Sequence, residues 1–185
     1  MKRRDGTECN TTCQICARPI LAKTGKIAHH GYTRPIYRSG WQTASCYGAR
    51  KLPYEVDRSV LREYLDRFMH PALDRTNALL KAVRAGGPDL EVPNPAYARY
   101  LDRIAYYKYR GKPPQGEPPP QMLKFVERPP EINGRYDFDN PQWAAAREYE
   151  RALESFTYQV EREQQAIEED VERLEARYDA WVAPA

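Results

Sequence analysis

The chain has 185 residues, of which 30% are charged and 41% hydrophobic, with a formal net charge of +3. That balance excludes a large globular core and favours elongated helices. No apolar stretch reaches the roughly 20 residues that a membrane-spanning helix needs, so no membrane partner is expected and the expected location is the cytoplasm. The charge is uneven: residues 1–52 carry 10 Lys+Arg against 2 Asp+Glu, whereas residues 140–185 carry 5 Arg against 11 Asp+Glu. A basic head is thus followed by an acidic far helix, which bears on partners rather than on fold.

The opening Met1-Lys2-Arg3-Arg4-Asp5-Gly6 is charged and has no apolar stretch of signal-peptide type. The four cysteines, Cys9, Cys13, Cys16 and Cys46, are then expected as reduced thiols rather than as two disulfides. Cys13-Gln14-Ile15-Cys16 is a short turn whose thiolates converge on one ion. Such a turn followed by a second ligand pair is the usual build of a structural zinc site. The second pair here is a histidine and Cys46. Between the halves, apolar stretches flank Lys23-Thr24-Gly25-Lys26, a hairpin signal that brings His29 or His30 back to the cysteines. Successive strand residues face opposite sides, so one histidine of the pair points at the metal. His30 is preferred because Gly31 lets the backbone bend toward the ion; His29, or Cys9 in its place, is the alternate. Mixed nitrogen and sulfur donors favour Zn2+ over an iron–sulfur cluster. Four protein ligands leave no open position, so the ion is expected to be structural.

Arg34, Arg38, Trp41, Arg50 and Lys51 are interleaved with Tyr32 and Tyr37 in the same segment. Cations contact phosphates and rings stack on bases, which makes this a candidate nucleic-acid surface. The competing reading places Tyr32, Tyr37 and Trp41 in a small core around the metal, with solvated arginines.

The first helix is expected over 57–85, capped by Asp57 or Ser59, with a stripe at Leu61, Tyr64/Leu65, Phe68, Ala72, Leu79/Leu80 and Val83. Pro71 should kink or divide it, and Gly86-Gly87-Pro88 ends it. A second helix over 94–110 opens on Asn94-Pro95, a cap followed by a first-turn proline. It is rich in Tyr and Arg, and Tyr100, Arg103 and Tyr107 are candidates for protein interaction. A Pro-rich connection covers 111–135. The third helix, over 139–182, opens on Asp139-Asn140-Pro141 and carries Ala146, Leu153, Val160, Ile167, Leu174 and Trp181 at a seven-residue interval. About 40 residues at 1.5 Å each make a rod of about 60 Å. The first helix is its expected antiparallel partner in a coiled-coil-like hairpin. Being shorter, it leaves part of the long helix, with Tyr178 and Trp181 at an exposed apolar end, for another chain and for a homodimer.

The predicted fold is therefore mainly α: a basic zinc-knuckle and hairpin module over 1–53, then a helical body over 54–185. Enzyme signals are thin, with neither a Gly-rich phosphate loop nor a G-x-S-x-G elbow. The segment His29-His30-Gly31-Tyr32-x-Arg34-Pro35 and then Gly40-Trp41-Gln42-Thr43-Ala44-Ser45-Cys46-Tyr47-Gly48-Ala49-Arg50-x-Leu52-Pro53 resembles small zinc-binding proteins of phages and mobile elements. The resemblance covers the first third of the chain. It implies an accessory protein in the cytoplasm of a bacterial host, and an inhibitor of a host defence complex of anti-CRISPR type fits that setting. The Cys-x2-Cys turn, the hairpin ending in histidine and the later cysteine also resemble zinc-stapled HNH nucleases of the phage endonuclease VII type. That likeness implies His29 or His30 as general base, yet no Asp or Glu lies between Glu8 and Glu55 to hold a catalytic cation. The sequence thus points to a non-catalytic zinc protein that binds a nucleic acid or a host nucleoprotein complex. A protein-binding inhibitor acting through its helices, on a host protein target, is the alternative. An HNH-like nuclease is the second alternative.

Overall fold

Proline after a capping asparagine starts a helix, because its missing N–H is one the first turn could not have used. The computed structural model, which describes residues 11–20, 22, 25–32, 44–108, 111, 117–130 and 139–183, bears this out twice. Helix α3 (Pro95–Lys108) has Asn94 Oδ1 accepting the Ala96 N–H at 2.9 Å. Helix α4 (Pro141–Asp179) has Asn140 Oδ1 accepting the Gln142 N–H at 2.9 Å. The other elements are the short strands β1 (Gly31–Tyr32), β2 (Ala44–Ser45), β3 (Val92–Pro93) and β4 (Met122–Leu123), with helices α1 (Ser59–Tyr64) and α2 (His70–Ala85). The protein is mainly α, as its composition requires. No helix among the described residues is long and apolar enough to cross a membrane.

Just before Pro71, where a kink or a division was expected, the helix changes form without ending. A π-helical turn, Leu65–Met69, joins α1 to α2, with the His70 N–H bonding the Leu65 carbonyl. Proline removes one N–H and crowds the carbonyl four residues back. A wider turn placed just before it absorbs that crowding without ending the helix, and Leu65 and Met69 both stay buried. Helix α2 stops where expected: Gly86, at φ 64, turns left-handed and gives its N–H to the Ala82 carbonyl at 3.1 Å.

The chain divides into two compact units, Met1–Asn77 with Glu163–Ala185, and Ala78–Arg162. In the first, β1 and β2 pair antiparallel, Gly31 opposite Ser45. The segment leading to His29 and His30 is bonded to the residues after Cys46: the Ile27 N–H goes to the Lys51 carbonyl and the Arg50 N–H to the Ile27 carbonyl, both at 2.8 Å. Residues 27–32 therefore lie against 44–51. Their core joins Cys13, Ile15, Ile20, Ile27 and Cys46 to Leu61, Leu65 and Met69 of the first helix and to Ile167, Val171 and Leu174 of α4. In the second unit, β3 pairs antiparallel with β4. Val92, Tyr149 and Ala152 form a smaller core, with the Tyr149 hydroxyl donating to the Leu90 carbonyl at 2.9 Å. The seven-residue repeat of α4 faces inward throughout: Ala146, Val160, Ile167 and Leu174 are buried, and Leu153 and Trp181 are half-buried.

Candidate metal centre

Cys13, Cys16, His30 and Cys46 come together with all four donor atoms within 4.8 Å of one another. The local chain explains the convergence. The Cys13-x-x-Cys16 turn closes with the Ala17 N–H on the Cys13 carbonyl at 3.1 Å and the Cys13 N–H on the Arg18 carbonyl at 3.0 Å. The Cys46 N–H bonds the His30 carbonyl at 3.0 Å, so pairing β1 with β2 sets histidine and cysteine side by side. Cys13 and Cys46 are buried, while Cys16 and His30 are half-buried. The Cys13 and Cys46 sulfurs are 3.7 Å apart, and His30 Nε2 is 3.4 Å from Cys16 Sγ. This group could hold a metal ion.

Two hydrogen bonds orient the histidines differently. His30 Nδ1 lies 2.9 Å from the Ala28 carbonyl. A carbonyl only accepts, so Nδ1 carries the proton and Nε2 turns its lone pair to the thiols, the arrangement metal-ligating histidines adopt. His29 points away, with Nε2 2.9 Å from Ser45 Oγ. Cys9, the other alternate ligand, lies outside the described residues.

Three thiols this close cannot all ionise without a cation among them. Cys16 is held far below the usual thiol range by hydrogen bonds from Cys13 and Cys46, with Arg18 adding to the effect. Cys13 is pushed up chiefly by its bond to Cys16, and Cys46 chiefly by its bond to Cys13. The group is poised to give up protons to a cation that replaces them.

Several residues that serve this centre carried no sequence signal of their own. Arg18 donates through Nε to Cys16 Sγ at 3.5 Å and through Nη2 to the Gly31 carbonyl, bridging the turn to β1. Gln14 is completely buried. Its Nε2 donates to the Leu52 carbonyl at 2.9 Å, and its Oε1 accepts the Leu61 N–H at 3.0 Å. Asp57 and Ser59 were the expected caps of α1, but Asp57 Oδ1 reaches only the Ser59 N–H, at 3.0 Å. The third N–H of the helix, that of Leu61, is shared between the Arg58 carbonyl at 3.1 Å and Gln14 Oε1, from the turn between the two cysteines. Arg177, near the end of α4, donates to the carbonyls of Gln14 at 3.2 Å and Cys13 at 3.3 Å. Its guanidinium also covers the Tyr54 ring at 3.7 Å.

Gly48 explains itself by space. A Cβ built there would touch Ile15 Cγ1 at 3.4 Å and fall 2.4 Å from Cys13 Sγ, the latter closer than atoms approach. Gly48→Ala is expected to displace the Cys13 sulfur and weaken metal retention by at least tenfold. A metal-competition titration with a chromophoric chelator checks this, and unchanged affinity would show that the sulfur has room to move.

Arg50 and Lys51 are exposed, with Lys51 Nζ 5.7 Å from the Tyr47 ring centroid. That ring packs with Tyr64 and Phe68 at centroid distances of 5.4 and 5.1 Å. Arg34, Arg38 and Trp41 lie outside the described residues, as do Tyr109 and Arg110. On α3, Arg103 is exposed and Tyr100 and Tyr107 are half-buried. Tyr178 and Trp181, expected at an exposed end, are half-buried instead. Arg58 stacks on the Tyr178 ring at 4.0 Å and the Trp181 indole donates to the Tyr54 carbonyl at 2.6 Å, because residues 54–58 pass beside the end of α4. Comparison with protein-family models, with curated proteins and with solved structures yields no match.

Proposed function

We propose that this is a non-catalytic binding protein whose basic head is built on one structural zinc ion and engages nucleic acid or a nucleoprotein. The observation that carries the zinc reading is the spacing of the four donors. Zinc–sulfur bonds of about 2.3 Å and zinc–nitrogen bonds of about 2.0–2.1 Å make tetrahedral edges of about 3.8 Å between sulfurs and about 3.5 Å between sulfur and nitrogen. The Cys13–Cys46 separation of 3.7 Å and the Cys16–His30 separation of 3.4 Å fit those edges. The widest separation, 4.8 Å, closes by about 1 Å on binding. Zinc bound there holds the turn, β1 and β2 together; Cys13, Cys16, His30 and Cys46 supply all four bonds, and no water need complete the shell.

Nucleic acid is favoured as partner by the charge of the head, 10 cationic against 2 acidic residues over 1–52. The exposed Arg50 and Lys51 beside an aromatic cluster add to that reading. The body is read as a coiled-coil-like hairpin of the first helix and α4, supported by the inward-facing repeat of α4. A protein-binding role through α3 is the second reading. It draws on Leu101, Ile104 and Tyr106, all exposed on a helix none of whose described residues is buried. A nuclease reading gains no support, since among the described residues no carboxylate joins the cysteine–histidine group.

The test is salt dependence. Each phosphate contact adds about 0.7 to the slope of log K against log salt for a single strand and about 0.9 for duplex DNA. The zinc-loaded chain is expected to bind a labelled oligonucleotide with a steep slope, and Arg50→Gln with Lys51→Gln to reduce that slope by about 1.4–1.8. Binding without salt dependence, or a slope unchanged in the double variant, would remove nucleic acid as the partner of this face.

A further inference from the structure

The second compact unit holds a groove of about 510 Å³ that the zinc head does not account for. One wall is the opening of α3, with Asn94 and Arg99, and the other is the first turns of α4, with Trp143, Arg147, Glu148 and Arg151. Three guanidiniums therefore face one carboxylate. This is unexpected in a helix that is acidic along its length, because residues 140–185 carry 11 Asp+Glu against 5 Arg. Two of those five arginines open into the one groove.

The convergence of three arginines on one groove, rather than their lack of partners, sets them apart. Some cations of the unit are matched to carboxylates. Arg84 pairs with Glu161 at 2.8 Å, and Arg128 takes Glu150 with two nitrogens, Nε and Nη2. Glu150 lies one residue from Arg151 and could have neutralised it, but its oxygens are already held. Among the described residues Arg99, Arg147 and Arg151 form no ion pair. Arg147 instead lies over the Trp143 ring, 4.7 Å from its centroid. A ring contact of this kind holds a guanidinium without using up its N–H donors.

From this geometry we propose that the groove binds a phosphate ester, the phosphate held by Arg99, Arg147 and Arg151 and an attached ring accommodated along the Trp143–Arg147 stack. Guanidinium forks match phosphate oxygens two at a time. A net excess of two positive charges complements a phosphate monoester dianion. The volume falls within the roughly 300–1,000 Å³ typical of small-ligand sites, enough for a mononucleotide. Asn94 closes the floor without taking part: its Oδ1 caps α3 and its Nδ2 is bonded to the Pro120 carbonyl at 2.9 Å. The same chemistry is offered by a free nucleotide and by a nucleotide within a strand, and the test separates the two.

Isothermal titration of the full zinc-loaded chain with inorganic pyrophosphate, a nucleoside monophosphate and a short oligothymidylate decides the matter. At least one probe is expected to bind. Arg99→Gln with Arg151→Gln should weaken that binding at least about tenfold, the scale of losing charge-assisted hydrogen bonds. Arg99→Lys with Arg151→Lys, which keeps the charge and removes the fork, should give a smaller loss. It also decides the matter if the glutamine variant fails to fold. Arg50→Gln with Lys51→Gln should leave binding of the two small probes unchanged, so failure of the groove and failure of the zinc-head surface are read separately. A monophosphate bound as tightly as the oligonucleotide identifies a free nucleotide; oligonucleotide binding alone, lost in the groove variants, identifies a strand. No binding by any probe at millimolar concentration, or binding indifferent to Arg99 and Arg151, overturns the proposal.

Discussion

Cys13→Ser is expected to release the metal and unfold the amino-terminal head, while most of the helical signal in circular dichroism persists. Cys13 is fully buried, its sulfur is packed against the Cys46 sulfur at 3.7 Å, and Gly48 leaves it no spare room. A serine hydroxyl is a poor zinc ligand at neutral pH, so one bond is lost and a polar group is left in an apolar cluster. Structural zinc contributes on the order of 10–16 kcal/mol in small folded modules. That exceeds what a handful of buried residues around β1 and β2 can supply by themselves. The helices keep their part of the shared core, since Leu65, Met69, Val171 and Leu174 belong to it without being metal ligands. The first turn of α1 should nevertheless loosen, because Gln14 leaves with the turn and the Leu61 N–H keeps only the Arg58 carbonyl of its two acceptors. Metal content by mass spectrometry and helicity by circular dichroism are the two readouts. The paired controls are His30→Ala, expected to lose metal, and His29→Ala, expected to keep it, since His29 bonds Ser45 instead. If Cys13→Ser leaves both metal content and thermal melting unchanged, the zinc centre is wrong.

Much of this is legible in the chain alone, for a physical reason. A Cys-x2-Cys turn and a strand alternation are local, and a heptad recurs often enough that spacing by itself places Ala146, Val160, Ile167 and Leu174 on one face. The two Asn-Pro helix starts are equally local, and both appear. What stays hidden depends on contacts between residues far apart in sequence. Gln14 reads as filler between two cysteines until Leu52 and Leu61 are brought to it. Arg177 reads as one more cation on a solvated face until its guanidinium is found on the carbonyls of Gln14 and Cys13. Pro71 marks where the helix changes form but not how, because its local rule is only a clash, and the chain relieves the clash one turn earlier by widening the helix. The groove arginines are hidden for a related reason. Arg147 and Arg151 sit among glutamates in sequence, and only the packing of the unit shows that Glu150 is held by Arg128.

Leu174→Ala is expected to destabilise the first unit by about 3 kcal/mol, within the 2–5 kcal/mol usual for leucine truncation in a core. Leu174 is completely buried and shares its cluster with Cys13, Ile15 and Cys46 as well as Leu61 and Leu65. The cavity it leaves opens between the far end of α4 and the metal turn, so the loss should appear in two places. The denaturation midpoint should fall, and the metal should exchange faster with a chelator. Arg177→Ala, one turn further on, removes donors from the Cys13 and Gln14 carbonyls and the cation from the Tyr54 ring. Losing bonds from a charged donor costs about 1.5–3 kcal/mol, and here the carbonyls left behind belong to the metal turn itself. It should therefore speed metal release more, per kcal/mol lost, than Leu174→Ala does. By contrast Leu153→Ala, whose side chain packs in the core of the other unit, should leave the metal exchange rate alone. If Leu174→Ala and Leu153→Ala change metal exchange equally, the end of α4 is no part of the zinc head. If only the former does, the basic head is completed by residues from the acidic end of the same chain.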